Sequence, residues 1–258
     1  MKDFLIVGNW KENKTLGEAL MWSKEVLPKL KKIKRVRVVV CPPFVLIPAL
    51  ATLFDNQPLQ VGAQDLSEFV RGTYTGEVSA EALRGFITYT IVGHSERRRA
   101  LGERNKNIAA KVKNALCFGI RPIVCVSDKV DLEGAIFNGE AGFNEQNFQN
   151  QITSVFEELP PKEQKKVIFC YEPPTAISKP IGPIGVGQAA AVSEVEKMAK
   201  IIQKTAPTNL ILYGGSVKSD NVLDFLQSPI LDGVMPGSAS LNAQEFSELV
   251  LRVEKANQ

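Results

Sequence analysis

Eight short apolar runs, each rich in β-branched residues, recur along the 258-residue chain with helical patterns between them. They predict strands at Phe4–Asn9, Val36–Cys41, Leu59–Gln64, Tyr89–Gly93, Pro122–Val126, Val167–Tyr171, Leu210–Tyr213 and Asp232–Met235. Helices are predicted most clearly over Leu16–Leu30, Asn105–Phe118, Asn144–Leu159, Val186–Thr205 and Ala243–Lys255. In the fourth of these, Ala190, Val192, Val195, Met198, Ile201 and Ile202 approximate a 3.6-residue period. The strand runs are apolar nearly throughout and do not alternate. A strand needs that when both its faces are buried, as in a parallel sheet wrapped by helices. Eight strands leave roughly 32 residues per unit, the size of one strand–helix repeat. The pattern predicts an α/β chain folded as one (β/α)8 barrel domain over residues 1–258, and no linker or low-complexity segment divides it.

Composition removes several functions. The net charge of +3, from 31 Lys+Arg against 28 Asp+Glu, gives no reason to expect nucleic acid or a membrane surface as partner. The basic run Lys29–Arg37 reads as the solvated end of a helix entering a strand. The single histidine cannot build an imidazole-rich metal site, and no metal is expected. The cysteines Cys41, Cys117, Cys125 and Cys170 include no CxxC pair, and three of them end apolar runs as small hydrophobes. That points to a reducing, cytoplasmic setting. The N-terminal apolar run is too short for a signal peptide, and no run of about 18 apolar residues predicts a membrane span. The stretch Gly185–Ala190 matches G-x-G-x-x-A, but Ile181-Gly-Pro-Ile184 before it is no strand, so a dinucleotide site is not expected.

Polar residues and glycines gather just after the strands. Asn9 and Lys11 follow the first, His94, Ser95 and Glu96 the fourth, and Glu172 the sixth. Gly214-Gly215-Ser216 follow the seventh, and Gly237-Ser238 the eighth. In a βα barrel these positions share the catalytic face. Glycine turns after the last two strands suit phosphate, because backbone can approach closely and N–H groups are presented there.

Six segments carry a resemblance over nearly the full length. They are Gly8-Asn9-Trp10-Lys11, Gly62-Ala63-Gln64, the stretch Tyr74–Glu81, Gly93-His94-Ser95-Glu96-Arg97-Arg98, Tyr171-Glu172-Pro173 and Tyr213-Gly214-Gly215-Ser216-Val217. In this order and spacing the chain closely resembles the triosephosphate isomerase family, whose barrel gives the TIM fold its name. The resemblance implies interconversion of dihydroxyacetone phosphate and glyceraldehyde 3-phosphate with no cofactor. It implies Glu172 as general base, His94 as electrophile, Lys11 as the site's cation and Asn9 as a donor to substrate. Glu96 matches the family's supporting acid. Thr75 matches a loop tip that reaches into a partner's site, so a homodimer is implied. That family pairs its glutamate with a neutral imidazole. A helix starting at Ser95 is expected to lower the His94 pKa accordingly.

The chain departs from the family where phosphate is gripped. Residues 174–180 read Pro-Thr-Ala-Ile-Ser-Lys-Pro in place of Val-Trp-Ala-Ile-Gly-Thr-Gly, and Pro180 offers no N–H. Gly182 is the candidate to take over that contact. Ser216, Gly237 and Ser238 are the other expected phosphate contacts, with Pro236-Gly237-Ser238 replacing Val-Gly-Gly. Asp65 stands where the family commonly has Asn. The alternatives are a barrel of altered phosphosugar preference or a non-catalytic dimeric barrel. Retention of Lys11, His94 and Glu172 together argues against the last, since a binding barrel needs no carbon base.

Overall fold

The computed structural model describes residues 2–136, 142–173 and 189–257. Eight parallel strands close into a barrel in chain order. They are β1 Phe4–Asn9, β2 Val36–Cys41, β3 Leu59–Ala63, β4 Tyr89–Val92, β5 Arg121–Val126, β6 Ile168–Tyr171, β7 Leu210–Tyr213 and β8 Gly233–Val234. Every predicted strand is present, with bounds shifted by at most one residue. Closure rests on two residue pairs, Leu5 with Gly233 and Ile6 with Val234. A Cβ at Gly233 would collide with the Leu5 carbonyl oxygen, so only glycine lets β8 come this close.

The helices are α1 Leu16–Leu30, α2 Ile47–Leu53, α3 Ala80–Leu83, α4 Ser95–Ala100, α5 Asn105–Cys117, α6 Glu145–Phe156, α7 Pro161–Gln164, α8 Val192–Thr205, α9 Val222–Leu226 and α10 Ala243–Ala256. The start of α1 follows its local chemistry: Thr15 and Glu18 form a reciprocal capping box. Asn144 and Asn242 cap α6 and α10 with their side chains. The predicted helix 186–205 begins at Val192; residues 186–188 lie outside the described residues. Among the described residues, five helices of seven residues or fewer complete too few turns to show a period in sequence.

Both faces of the strands are buried, which accounts for their continuous apolar character. Leu5, Val7, Val39, Ile91, Ile123, Ile168 and Leu212 fill the barrel, together with Cys41, Cys125 and Cys170. The alternating set, including Ile6, Val38, Val92, Val124, Phe169 and Ile211, packs with the surrounding helices. Each such aliphatic side chain contributes about 1.5–3 kcal/mol when fully buried. The charged side chains of the run Lys29–Arg37 are exposed, as expected. Beneath that run the buried carboxylate of Glu254 on α10 accepts the N–H groups of Lys34, Arg35 and Val36.

Candidate active site

Asn9, Lys11, His94, Glu172, Ser216, Gly237 and Ser238 line one pocket at the C-terminal ends of the strands, together with Met235. Seven predicted residues, scattered over 230 positions, are therefore brought together. Gly182 lies outside the described residues. Thr75 lies apart, on the exposed loop after β3.

His94 is placed by the exit of β4. Gly93 takes a left-handed conformation (φ 70°) that turns the chain out of the strand. The buried Arg98 guanidinium donates to the Gly93 carbonyl (2.9 Å) and to Asn105 Oδ1 (3.0 Å), fixing that turn. His94 then caps α4, its Nδ1 accepting the backbone N–H of Glu96 at 3.2 Å. An N–H aimed at Nδ1 leaves no room for a proton there, so the neutral imidazole carries its proton on Nε2. Nε2 lies 3.1 Å from Glu172 Oε1. The other carboxylate oxygen of Glu172 accepts the Ser95 N–H at 3.2 Å. Both side chains are almost fully buried.

Burial alone pushes the His94 pKa down and the Glu172 pKa up. The mutual contact reverses both. The Glu172 carboxylate, with Glu96 behind it, holds His94 above the ordinary histidine value. The imidazole, the Ser95 N–H and Lys11 hold Glu172 below the usual glutamate range. The expected lowering of His94 by its helix is thus overturned in this arrangement, because a carboxylate in contact outweighs a half-charge at a short helix. Once Glu172 turns toward a ligand, burial and the Glu96 N–H remain, and both favour the neutral ring.

Lys11 stands just past β1 with φ 51°, a conformation that is uncommon for residues other than glycine. Two amides hold it there. Asn9 Oδ1 accepts the Lys11 N–H at 3.0 Å, and Gln64 Nε2 donates to the Lys11 carbonyl at 2.7 Å. Its ammonium pairs with Glu96 Oε1 at 2.6 Å. Gln64 belongs to a motif legible in sequence, but nothing there gave it this task. It also donates to the Cys41 carbonyl at 2.9 Å, so it ties the Lys11 loop to the end of β2.

Gly214, just after β7, leaves the Glu172 side chain its place. A Cβ on Gly214 would come within 2.6 Å of Cys170 Sγ and 2.9 Å of Glu172 Cγ. Ser238, on the lining of the same pocket, opens a 3-10 turn, Ser238–Ser240. Ser240 closes that turn by donating to the Gly237 carbonyl.

Asp65 sits in a buried charge network behind the site. Lys111 Nζ reaches Asp65 Oδ2 at 2.7 Å and Glu103 Oε1 at 2.6 Å. Arg97 bridges the same two acids at 2.8 and 2.7 Å. The network fastens the segment carrying Gln64 to α4 and α5.

A closed barrel with a buried carboxylate and imidazole in contact, a lysine and a glycine-rich rim defines a class: a βα-barrel enzyme equipped for proton transfer on a small anionic substrate. The family model described as "Triosephosphate isomerase" matches residues 4–253. The triosephosphate isomerase of Chloroflexus aurantiacus is 36% identical over 256 residues, covering 95% of this chain and 97% of the relative. That of Dehalococcoides mccartyi is 34% identical over 255 residues, covering 95% and 94%. That of Coxiella burnetii is 36% identical over 264 residues, covering 95% of both. The chain belongs to the triosephosphate isomerase family.

Proposed function

We propose that this chain interconverts dihydroxyacetone phosphate and D-glyceraldehyde 3-phosphate, a step of glycolysis and gluconeogenesis, with no cofactor. The reaction moves a carbonyl between adjacent carbons by moving one proton. Substrate entry replaces the Glu172–His94 contact: the carbonyl oxygen takes the Nε2–H, and the freed carboxylate faces carbon. Glu172 removes the carbon-bound proton, and His94 donates toward the oxygen on which charge develops. The neutral ring then passes protons between the two oxygens of the enediolate while Glu172 returns its proton to the neighbouring carbon. Lys11 supplies fixed positive charge to phosphate and enediolate, worth several kcal/mol in a dry site. Asn9 is the further donor to substrate. Ser216, Gly237 and Ser238 hold the phosphate from the rim, and Gly182 is assigned to the same task.

The observation that carries this reading is the pairing of Glu172 with His94 Nε2 at 3.1 Å while Glu96 N–H occupies Nδ1. The test is Glu172→Gln assayed with both trioses. Turnover should fall by about 10²–10⁴-fold, the usual contribution of an acid–base group, with the melting curve still cooperative. A near-normal rate would refute the mechanism.

The working form is a homodimer joined through the loop of Thr75. A cleft lined by Lys11, Glu12, Phe44, Gln64 and Glu96 adjoins the site and suits that loop from a second copy. Tyr74 and Leu101, exposed apolar residues, line a cleft with Thr75, and Val45, 83% accessible, neighbours Phe44 of the first cleft. The four cysteines are free thiols and no described helix is long and apolar enough to cross a membrane, which suits the cytoplasm.

A further inference from the structure

We infer that Cys125, Cys170 and Glu172 form a binding site for a soft divalent cation, zinc and its chemical neighbours, which inhibits the enzyme by occupying its base. Cys125 and Cys170 are direct partners in the β5–β6 register. Both belong to the inward-facing core, and both are at most 1% exposed. One donor atom from each thiol and one from the Glu172 carboxylate all lie within 4.8 Å of one another. Donors on a tetrahedral zinc ion stand about 3.5–3.8 Å apart, given Zn–S near 2.3 Å and Zn–O near 2.0 Å. The donors must therefore draw together by about an ångström at most to hold the ion.

Chemistry and shape favour this set over a chance cluster. Two sulfurs with one carboxylate suit zinc or cadmium better than the hard cations magnesium and calcium. Gly214 lets two of the donors stand where they do, since a Cβ there would collide with both Cys170 Sγ and Glu172 Cγ. Of the three donors, Glu172 is the one that lines the pocket, where His94 Nε2 stands 3.1 Å from its Oε1. Binding forms two metal–sulfur bonds and one metal–oxygen bond and releases the two thiol protons to solvent, so affinity falls toward acid. The proposed mechanism uses neither thiol. Sequence spacing gave no warning, because the cysteines are 45 residues apart and meet only through strand pairing.

The inhibitory consequence rests on Glu172 being the base; the binding does not. The test uses the whole chain with its exposed Cys117 replaced by serine, titrated with cobalt(II) as a spectroscopic probe and with zinc by competition. One equivalent should produce a near-ultraviolet thiolate-to-cobalt band. Isomerase turnover should fall in step with zinc occupancy and return on adding a chelator. Cys170→Ala should abolish the band and weaken zinc binding by more than about 100-fold, since losing even an outer-shell partner costs about 10–100-fold. Cys125→Ser gives the same reading should Cys170→Ala fold poorly. Absence of a band, or a band that survives both variants, overturns the site. So does full occupancy without inhibition in an enzyme that Glu172→Gln inactivates, because Glu172 is then no ligand. If Glu172→Gln is itself active, the base assignment falls, and the band alone decides the metal site.

Discussion

Gly214→Ala is the smallest change that strains the site from behind. The added methyl carbon would stand 2.6 Å from Cys170 Sγ and 2.9 Å from Glu172 Cγ. Carbon contacts settle near 3.5–4.0 Å, so Cys170 must retreat by close to an ångström and Glu172 by more than half of one. Overpacking of this kind costs about 1–3 kcal/mol. For a chain of this length that lowers the melting temperature by roughly 3–10 °C. An ångström of misplacement at a catalytic group costs about 10²-fold in rate, so kcat should fall by that order. The two effects have separable causes. Adding Cys170→Ala removes the sulfur, and the double variant should melt closer to wild type than the sum of the single changes. Its kcat should stay low, because the Glu172 contact persists. The assay is a thermal melt beside steady-state kinetics for the four proteins of the cycle. A Gly214→Ala protein with wild-type melting and turnover would refute the reasoning, and additive melting losses would refute the role of the sulfur.

Three further outcomes follow from the same geometry. Glu172→Gln should lower the His94 pKa, because it removes the charge that raises it; the single histidine gives one resolvable imidazole signal by NMR, and an unmoved titration refutes the pairing. Burial pushes the Asp65 carboxyl up to about 6, despite Lys111 and Arg97. A raised folded-state pKa means stability is full below the ordinary aspartate range and is lost as pH rises through about 6. Relative to Asp65→Asn, the wild type should therefore lose about 2 kcal/mol between pH 4 and 7, and equal slopes in paired melts would contradict this. Gln64→Ala releases the carbonyl of a lysine held at φ 51°, so KM should rise and kcat drop about tenfold, roughly 1.4 kcal/mol; unchanged kinetics would show that Asn9 alone suffices.

Much of this was legible because burial on both strand faces writes itself into composition. Phe4–Asn9 and Val36–Cys41 read as buried strands without alternation, and both have the expected bounds. The rule that barrel chemistry sits just past the strands then brought Asn9, Lys11, His94 and Glu172 to one pocket. What escaped was set by pairs distant in sequence. The Lys111–Asp65–Glu103–Arg97 network joins residues whose charges look solvated when read singly. The direction of the His94 shift depends on a carboxylate 78 positions away, which local helix chemistry does not reveal. The short helices α2, α3 and α7 are fixed by packing and by proline or serine at their starts, and α9 by burial of Val222, Phe225 and Leu226, not by a period.

The two-residue strand at Gly233–Val234 bears on how the barrel is made. β1 emerges first from the ribosome, yet one of its edges finds its partner only after more than 220 further residues. Until then the N–H and C=O groups along Leu5 and Ile6 form an unpaired parallel edge, the kind of surface that recruits strands from other chains. Substitutions at Gly233 should therefore show their damage in the yield of soluble protein from synthesis or refolding as well as in the finished molecule. The seam that closes the barrel must wait for the last strand of the chain.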